Sequence, residues 1–167
     1  MKTLYLCRHA KSSWADLGMD DHERPLNERG MRNAPHMAHV FKQRGEPLDL
    51  LMSSTAKRAL STARFFADAL SKPKNEIVQD RSIYLAERST LVQAVNRLSS
   101  SVDRVMLFGH NPGFTTLLDY LSDAGVDNLP TCGLVRIDFA VDNWTHIGKN
   151  SGTLVWFDYP KRYPGQD

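Results

Sequence analysis

The segment Thr3-Leu4-Tyr5-Leu6-Cys7-Arg8-His9-Ala10 decides how the chain is read. Thr3 to Cys7 is a short apolar run that suits a buried strand, and it stops on two adjacent polar residues that have little packing reason to be there. Two later segments repeat the form. Leu48 to Met52 reads as a second buried strand, running into Ser53-Ser54-Thr55, good helix N-cap residues, and then into a helix whose first turn holds Arg58. Val102 to Phe108 reads as a third strand. It is followed by the turn Gly109-His110-Asn111-Pro112-Gly113 and a helix carrying Leu117, Leu118 and Leu121.

Helical signals fill the intervals. Asn27 can cap a helix in which Ala34, Met37, Ala38 and Phe41 share a face, and Pro35 is expected to kink it or restart it near Asn33. Ala56, Leu60, Ala63, Phe66 and Leu70 keep a helical period, as do Leu91, Val95 and Leu98. Ile77-Val78 marks a short strand. Gly133 to Val141 and Thr153 to Tyr159 are expected to pair around a turn near Asp142-Asn143. Such alternation predicts an α/β fold, a three-layer α/β/α sandwich with a mostly parallel central sheet.

At 167 residues the chain suits a single domain spanning 1–167. Hydrophobic residues at 41% and charged residues at 24% exclude disorder, collagen-like repeats and a disulfide scaffold. No apolar stretch approaches membrane-spanning length, and Arg8 breaks the opening run too early for a signal peptide. Cys7 and Cys132 make neither a disulfide framework nor a metal-ligand spacing, so a reduced, cytoplasmic protein is expected. The 21 basic and 19 acidic residues are mixed, with no concentrated basic face for nucleic acid. Anionic small substrates need only a few well-placed cations.

In open α/β sheets, ligands bind beyond the carboxyl ends of the strands. Arg8, His9, Arg58 and His110 all fall there. Two arginines and two histidines at one edge make a phosphate-sized cationic pocket, because guanidinium groups donate bidentate bonds to phosphate oxygens. Helix N-termini after Ser54 and Asn111 would add N–H donors. Taken singly, each residue has a blander reading as a solvated arginine or a satisfied histidine. Their weight lies in occurring together.

Leu6-Cys7-Arg8-His9-Ala10 resembles the Arg-His-Gly signature of the histidine phosphatase superfamily, which has the phosphoglycerate mutase-like fold. Arg24-Pro25-Leu26-Asn27-Glu28-Arg29-Gly30 is similar to that family's following element. The segment from Ser53-Ser54 through Arg58 to Thr62-Ala63 resembles its second-arginine motif. Gly109-His110-Asn111-Pro112 resembles its second-histidine motif, in the form seen in small SixA-type phosphohistidine phosphatases. The four matches follow family order.

The resemblance implies that His9 is a nucleophile that becomes a phosphohistidine, its other ring nitrogen tied to a backbone carbonyl. It implies that Arg8, Arg58 and His110 hold the phosphoryl oxygens, that Arg24 is a fourth cation, and that Asn111 joins the substrate-binding residues. Neither metal nor cofactor is expected. Ala10 departs from the family's glycine. Larger members place a glutamate after the third strand, within an insertion, to protonate the leaving group. Tyr84-Leu85-Ala86-Glu87 lies in that region without the insertion, so Glu87 is either the acid or a helix N-terminal charge; Asp80 is a weaker candidate. Ser53 and Ser54 read as a helix cap, and Trp14 as a pocket wall or a loop anchor. A minimal chain without the family's cap insertion has an open site. The expected substrate is therefore protein phosphohistidine, whose P–N bond is labile. The alternatives are a small phosphate ester, or a phosphate-binding module without turnover. A monomer is expected, with neither nucleic acid nor membrane as partner.

Overall fold

The computed structural model describes residues 1–167. Six strands form one sheet: β1 (Lys2–Arg8), β2 (Leu50–Ser53), β3 (Val78–Gln79), β4 (Arg104–Gly109), β5 (Leu134–Phe139) and β6 (Gly152–Asp158). Their order across the sheet is β3-β2-β4-β1-β5-β6. β3, β2, β4 and β1 run parallel, whereas β5 pairs antiparallel with β1 and β6 antiparallel with β5. The sheet is therefore mixed, and its parallel half carries the polar strand ends picked out above.

Four helices cover it: α1 (Glu28–Gln43), α2 (Lys57–Ala69), α3 (Arg88–Asn96) and α4 (Gly113–Ser122). The two-residue period of the strands sorts side chains between layers. Tyr5, Cys7, Met106 and Phe108 pack with Met37 and Phe41 of α1 and Ala63 and Phe66 of α2. Leu4, Leu6, Val105 and Leu107 pack on the other face with Leu91 and Val95 of α3 and Leu117 and Leu118 of α4. A central strand with both faces covered reads as a continuous apolar run, which is why Thr3 to Cys7 shows no polar alternation. The three-layer architecture follows.

Asn27 caps α1, its Oδ1 accepting the Gly30 N–H at 2.9 Å. The helix then runs unbroken through Pro35 and does not restart near Asn33. Pro35 and Met31, whose carbonyl loses its partner, are both exposed, so water can replace the missing bond. The late strands do pair, but residues 140–151 between them make more than a tight turn. Within that connection Trp144 is fully buried and donates from Nε1 to the Val102 carbonyl at 2.7 Å. No helix is long and apolar enough to cross a membrane.

The segment from Arg24 to Gly30 bolts α1 onto the loop after His9. Asn27 N–H donates to the Lys11 carbonyl at 3.0 Å, and Ser13 N–H to the Pro25 carbonyl at 2.8 Å. Gly30 is needed for that approach, since a Cβ there would lie 2.1 Å from the Lys11 oxygen.

Candidate active site

β1 delivers His9 to a backbone position held from several sides. Its N–H donates to the Gly109 carbonyl at 3.0 Å, and its own carbonyl accepts from Cys132 N–H at 3.1 Å. Ala10 N–H donates to Thr62 Oγ1 at 3.0 Å, and that hydroxyl donates in turn to the Arg58 carbonyl at 2.8 Å. Arg58 and Thr62 stand one turn apart on α2. One face of that helix thus fixes the residue after His9 and presents the arginine.

The His9 ring is protonated at a defined nitrogen. Nδ1 lies 2.7 Å from the Ala10 carbonyl, which can only accept, so Nδ1 carries the hydrogen and Nε2 keeps its lone pair. Burial pushes the imidazole down to about 3, and the charges of Arg58, Arg8 and Arg24 act in the same direction, outweighing the Ala10 bond. His9 is neutral at physiological pH.

His110 follows β4, with its ring centroid 5.3 Å from that of His9. Its Nε2 lies 2.8 Å from Ser54 Oγ. The Ser54 oxygen accepts the Ala56 N–H at 3.2 Å, and the hydroxyl hydrogen has no acceptor other than His110. Ser54 therefore donates to Nε2, and the neutral ring carries its proton on Nδ1. Burial, reinforced by His9 and Arg58, lowers this histidine to about 3 as well. Ser54 is thus no ordinary helix cap: α2 begins at Lys57, and its N-cap Ala56 makes no side-chain bond.

The arginines are held but not satisfied. Arg8 Nη1 donates to the Leu129 carbonyl at 2.9 Å. Arg24 Nη2 donates to Ser12 Oγ at 2.7 Å, and its guanidinium lies 3.4 Å from the centre of the Trp14 ring. Arg58 donates to the Asp21 carbonyl at 2.6 Å and to Asp21 Oδ2 at 3.0 Å. Tyr84 donates to the same Oδ2 at 2.5 Å. Burial works to raise the Asp21 carboxyl, but hydrogen bonds from Tyr84 and Arg58 and the charges of Arg58 and Arg24 hold it below the ordinary range. Asp21 is a fixed anion that braces Arg58.

Eight buried side-chain polar atoms in the molecule lack a partner, and five of them are here: Arg8 Nε, Arg24 Nε and Nη1, Arg58 Nε and His110 Nδ1. Arg24 Nε lies 3.3 Å from Asp21 Oδ1, close as an ion pair but not aligned as a hydrogen bond. A buried donor without an acceptor costs about 1–3 kcal/mol, more when charged. Five in one place describe a site whose acceptors are brought by an anion. The cavity holds about 210 Å³, and its walls include Arg8, Lys11, Arg24 and Arg58 but no carboxylate. A hollow of about 250 Å³ elsewhere, lined by Arg64, Asp68 and Lys74, contains no histidine.

Arg8, His9, Arg24, Arg58, His110 and Asn111 are thus brought to one cavity, and Glu87 is not. Asn111 borders the cavity, yet both its amide hydrogens are used, on Asn128 Oδ1 and the Leu129 carbonyl, while its Oδ1 accepts from Thr115. Its side-chain amide ties two loops together and has no hydrogen left for a substrate, whereas its backbone N–H makes no bond within the protein. Glu87 does not line the cavity; it is the exposed N-cap residue of α3. The chain turns at Leu85, which takes a left-handed φ of 48° and reaches the cavity wall in its place. Asp80 caps a short 3-10 turn, accepting from Ser82 N–H. Asp21, Tyr84 and Ser54 were not anticipated. The one signal available for Asp21 was its i,i+3 spacing to Arg24.

The family model of the histidine phosphatase superfamily (branch 1) matches residues 4–90. An uncharacterized protein of Mycobacterium tuberculosis (strain ATCC 25618 / H37Rv) is 30% identical over 165 residues, covering 92% of this chain and 99% of its own. The fold is similar to that of a candidate phosphohistidine phosphatase SixA from Agrobacterium tumefaciens, with a TM-score of 0.80 and 30% identity over 95% of this chain and 98% of that one. It is also similar to a protein histidine phosphatase SixA solved with tungstate, with a TM-score of 0.81 and 18% identity over 96% and 98% of the two chains.

Proposed function

The chain belongs to the histidine phosphatase superfamily (branch 1), and on that premise we propose that it hydrolyses phosphoryl groups through a covalent intermediate on His9, with protein phosphohistidine as its substrate. The observation that carries this reading is the neutral His9, its Nε2 lone pair free, set in a cavity with five partnerless buried donors. A phosphoryl group supplies the missing acceptors. Its charge is met by Arg8, Arg24 and Arg58, and one oxygen by the Nδ1–H of His110.

Nε2 of His9 attacks phosphorus in line with the leaving group. The P–Nε2 bond forms as the bond to the leaving atom breaks, and positive charge on the imidazole is relieved through the Nδ1–H bond to Ala10. Water then attacks the phosphohistidine, releasing phosphate and restoring the neutral ring. The arginines and His110 are oriented before reaction, so they stabilise the equatorial oxygens without reorganising.

The substrate class is supported by the lack of a carboxylic acid in the cavity wall. No carboxylate lines the cavity, Asp21 is held ionised, and Glu87 lies outside. A leaving group that takes up its own proton easily is favoured, and a phosphohistidine ring is one, since protonation of its far nitrogen lets it depart as neutral imidazole. The cavity, at about 210 Å³, is smaller than the roughly 300–1,000 Å³ that encloses a whole small-molecule ligand. It takes a phosphoryl group and leaves the rest of the substrate outside, as a protein substrate requires. Both cysteines are buried and unpaired, in keeping with a reducing cytoplasm.

The test compares kcat/KM for a phosphohistidine peptide with that for a panel of sugar and nucleotide phosphates. The peptide is expected to rank first. A rank below ordinary esters would overturn the substrate, and no turnover of any of them, or of p-nitrophenyl phosphate, would overturn the enzyme.

A further inference from the structure

Two apolar side chains at the cavity are placed where folding alone gives them no reason to be. Trp14 and Leu85 are the two hydrophobic residues in its wall, yet they are 64% and 53% exposed. They arrive from separate loops, one after β1 and one between β3 and α3. Trp14 is not adrift: its ring lies on the Arg24 guanidinium at 3.4 Å, and Arg24 is itself held by Ser12. Leu85 is kept in the left-handed region at φ 48°, a conformation that costs a leucine energy and is retained only where the surroundings impose it. Tyr84, immediately before it, supplies that anchorage through its bond to Asp21 and its edge contact with the His110 ring. Both residues are thus fixed by the groups that form the anion site, and both leave apolar surface uncovered beside it.

We propose that Trp14 and Leu85 form an apolar rim that selects substrates whose phosphoryl group is carried on a flat unsaturated ring, the ring lying against the Trp14 indole. This rests on the reading of the cavity as a phosphoryl site and adds what that site discriminates. The cations below take the phosphoryl group, whatever it is attached to. The rim receives the first atoms beyond it, since the cavity is too small to enclose them. An aromatic face there favours an imidazole or aryl group over a flexible, hydroxylated alkyl chain, because offset stacking adds to simple burial.

Phosphonates test this without any chemistry, as they bind but cannot be hydrolysed. Calorimetric titration of the full chain with phenylphosphonate and with methylphosphonate gives the two affinities. Phenylphosphonate is expected to bind about tenfold tighter. Trp14→Ala is expected to remove most of that ratio, with methylphosphonate affinity changing less than about threefold. Trp14→Phe, which keeps a ring, is expected to restore most of it, and Leu85→Ala to lower it two- to threefold. Equal binding of the two ligands by the wild-type chain would overturn the proposal, as would an equal loss for both in Trp14→Ala, which would make Trp14 a support for Arg24 and nothing more. If neither phosphonate binds, the phosphoryl-site reading itself fails, an outcome separate from loss of ring preference.

Discussion

Replacing Ser54 with alanine removes one oxygen and breaks two bonds, the 3.2 Å bond from Ala56 N–H and the 2.8 Å bond to His110 Nε2. Both Ser54 and His110 are buried, so water has little access to take the vacated place. The bond from Ala56 contributes about 1 kcal/mol, and the buried His110 nitrogen left without its partner costs about 1–3 kcal/mol. The expected loss of stability is about 2–4 kcal/mol. At roughly 2–4 °C per kcal/mol for a chain of this size, Tm should fall by about 5–15 °C. Activity should suffer for a different reason. Without the Ser54 hydroxyl, nothing holds the His110 proton on Nδ1, and a ring protonated at Nε2 presents a lone pair to the phosphoryl oxygen where a donor is needed. Loss of one oriented donor at a developing charge costs about 10²–10³ in rate. Because the useful tautomer stays partly populated, kcat/KM should fall about 10- to 100-fold. Ser54→Thr, which keeps the hydroxyl, should recover most of it. The assay is steady-state turnover of p-nitrophenyl phosphate beside ¹⁵N NMR of the histidine rings. A wild-type His110 protonated at Nε2, or a Ser54→Ala protein with full kcat/KM, would refute the reasoning.

Arg58→Ala removes a cation from the cavity and frees Asp21; turnover should drop at least about a hundredfold. Arg58→Lys should recover little, because an ammonium cannot keep both Asp21 bonds and still face the phosphate, and steady-state kinetics on the two variants checks it. Stability should depend on pH below neutrality. His9 and His110 are lowered to about 3 in the folded chain, against about 6.5 unfolded, so the unfolded state binds more protons between those values. Their contribution is whole above about pH 6.5 and declines as pH falls toward 3, with a slope approaching about 1.4 kcal/mol per pH unit for each ring. Urea unfolding at pH 7 and pH 5 should show this loss, and His9→Gln should lessen it. Gly30→Ala would place a methyl group 2.1 Å from the Lys11 carbonyl oxygen, and should destabilise the chain by about 2 kcal/mol or more in the same unfolding assay while displacing the loop after His9.

The layers and the strand-end residues were legible because they depend on short-range pattern. The apolar run before Arg8-His9 is continuous because β1 has a covered face on each side, and Arg58 and His110 stand out because polar groups follow buried strands. The antiparallel edge was legible as a pair of late strands, though not with Trp144 buried in the connection between them. What the pattern could not convey was pairing at a distance. Tyr84 and Arg58 meet on Asp21 across 63 and 37 positions, and Ser54 meets His110 across 56, with nothing local to mark any of these contacts. Glu87 stayed open between an acid and a helix N-terminal charge because the turn at Leu85, which sets it at the start of α3, depends on a left-handed backbone that a leucine does not advertise. Asn111 borders the cavity beside His110, with its side-chain amide taken by Asn128 and Leu129, 17 and 18 positions on across α4.

The central claim is that His9 Nε2 attacks phosphorus and carries it. Brief exposure of the protein to a ³²P-labelled phosphodonor, followed by denaturing quench, tests it directly. The account predicts label that is acid-labile and alkali-stable, mapped to the peptide containing His9 and absent from His9→Ala. Acid-labile label persisting on His9→Ala, or acid-stable label on the wild-type chain, would contradict it.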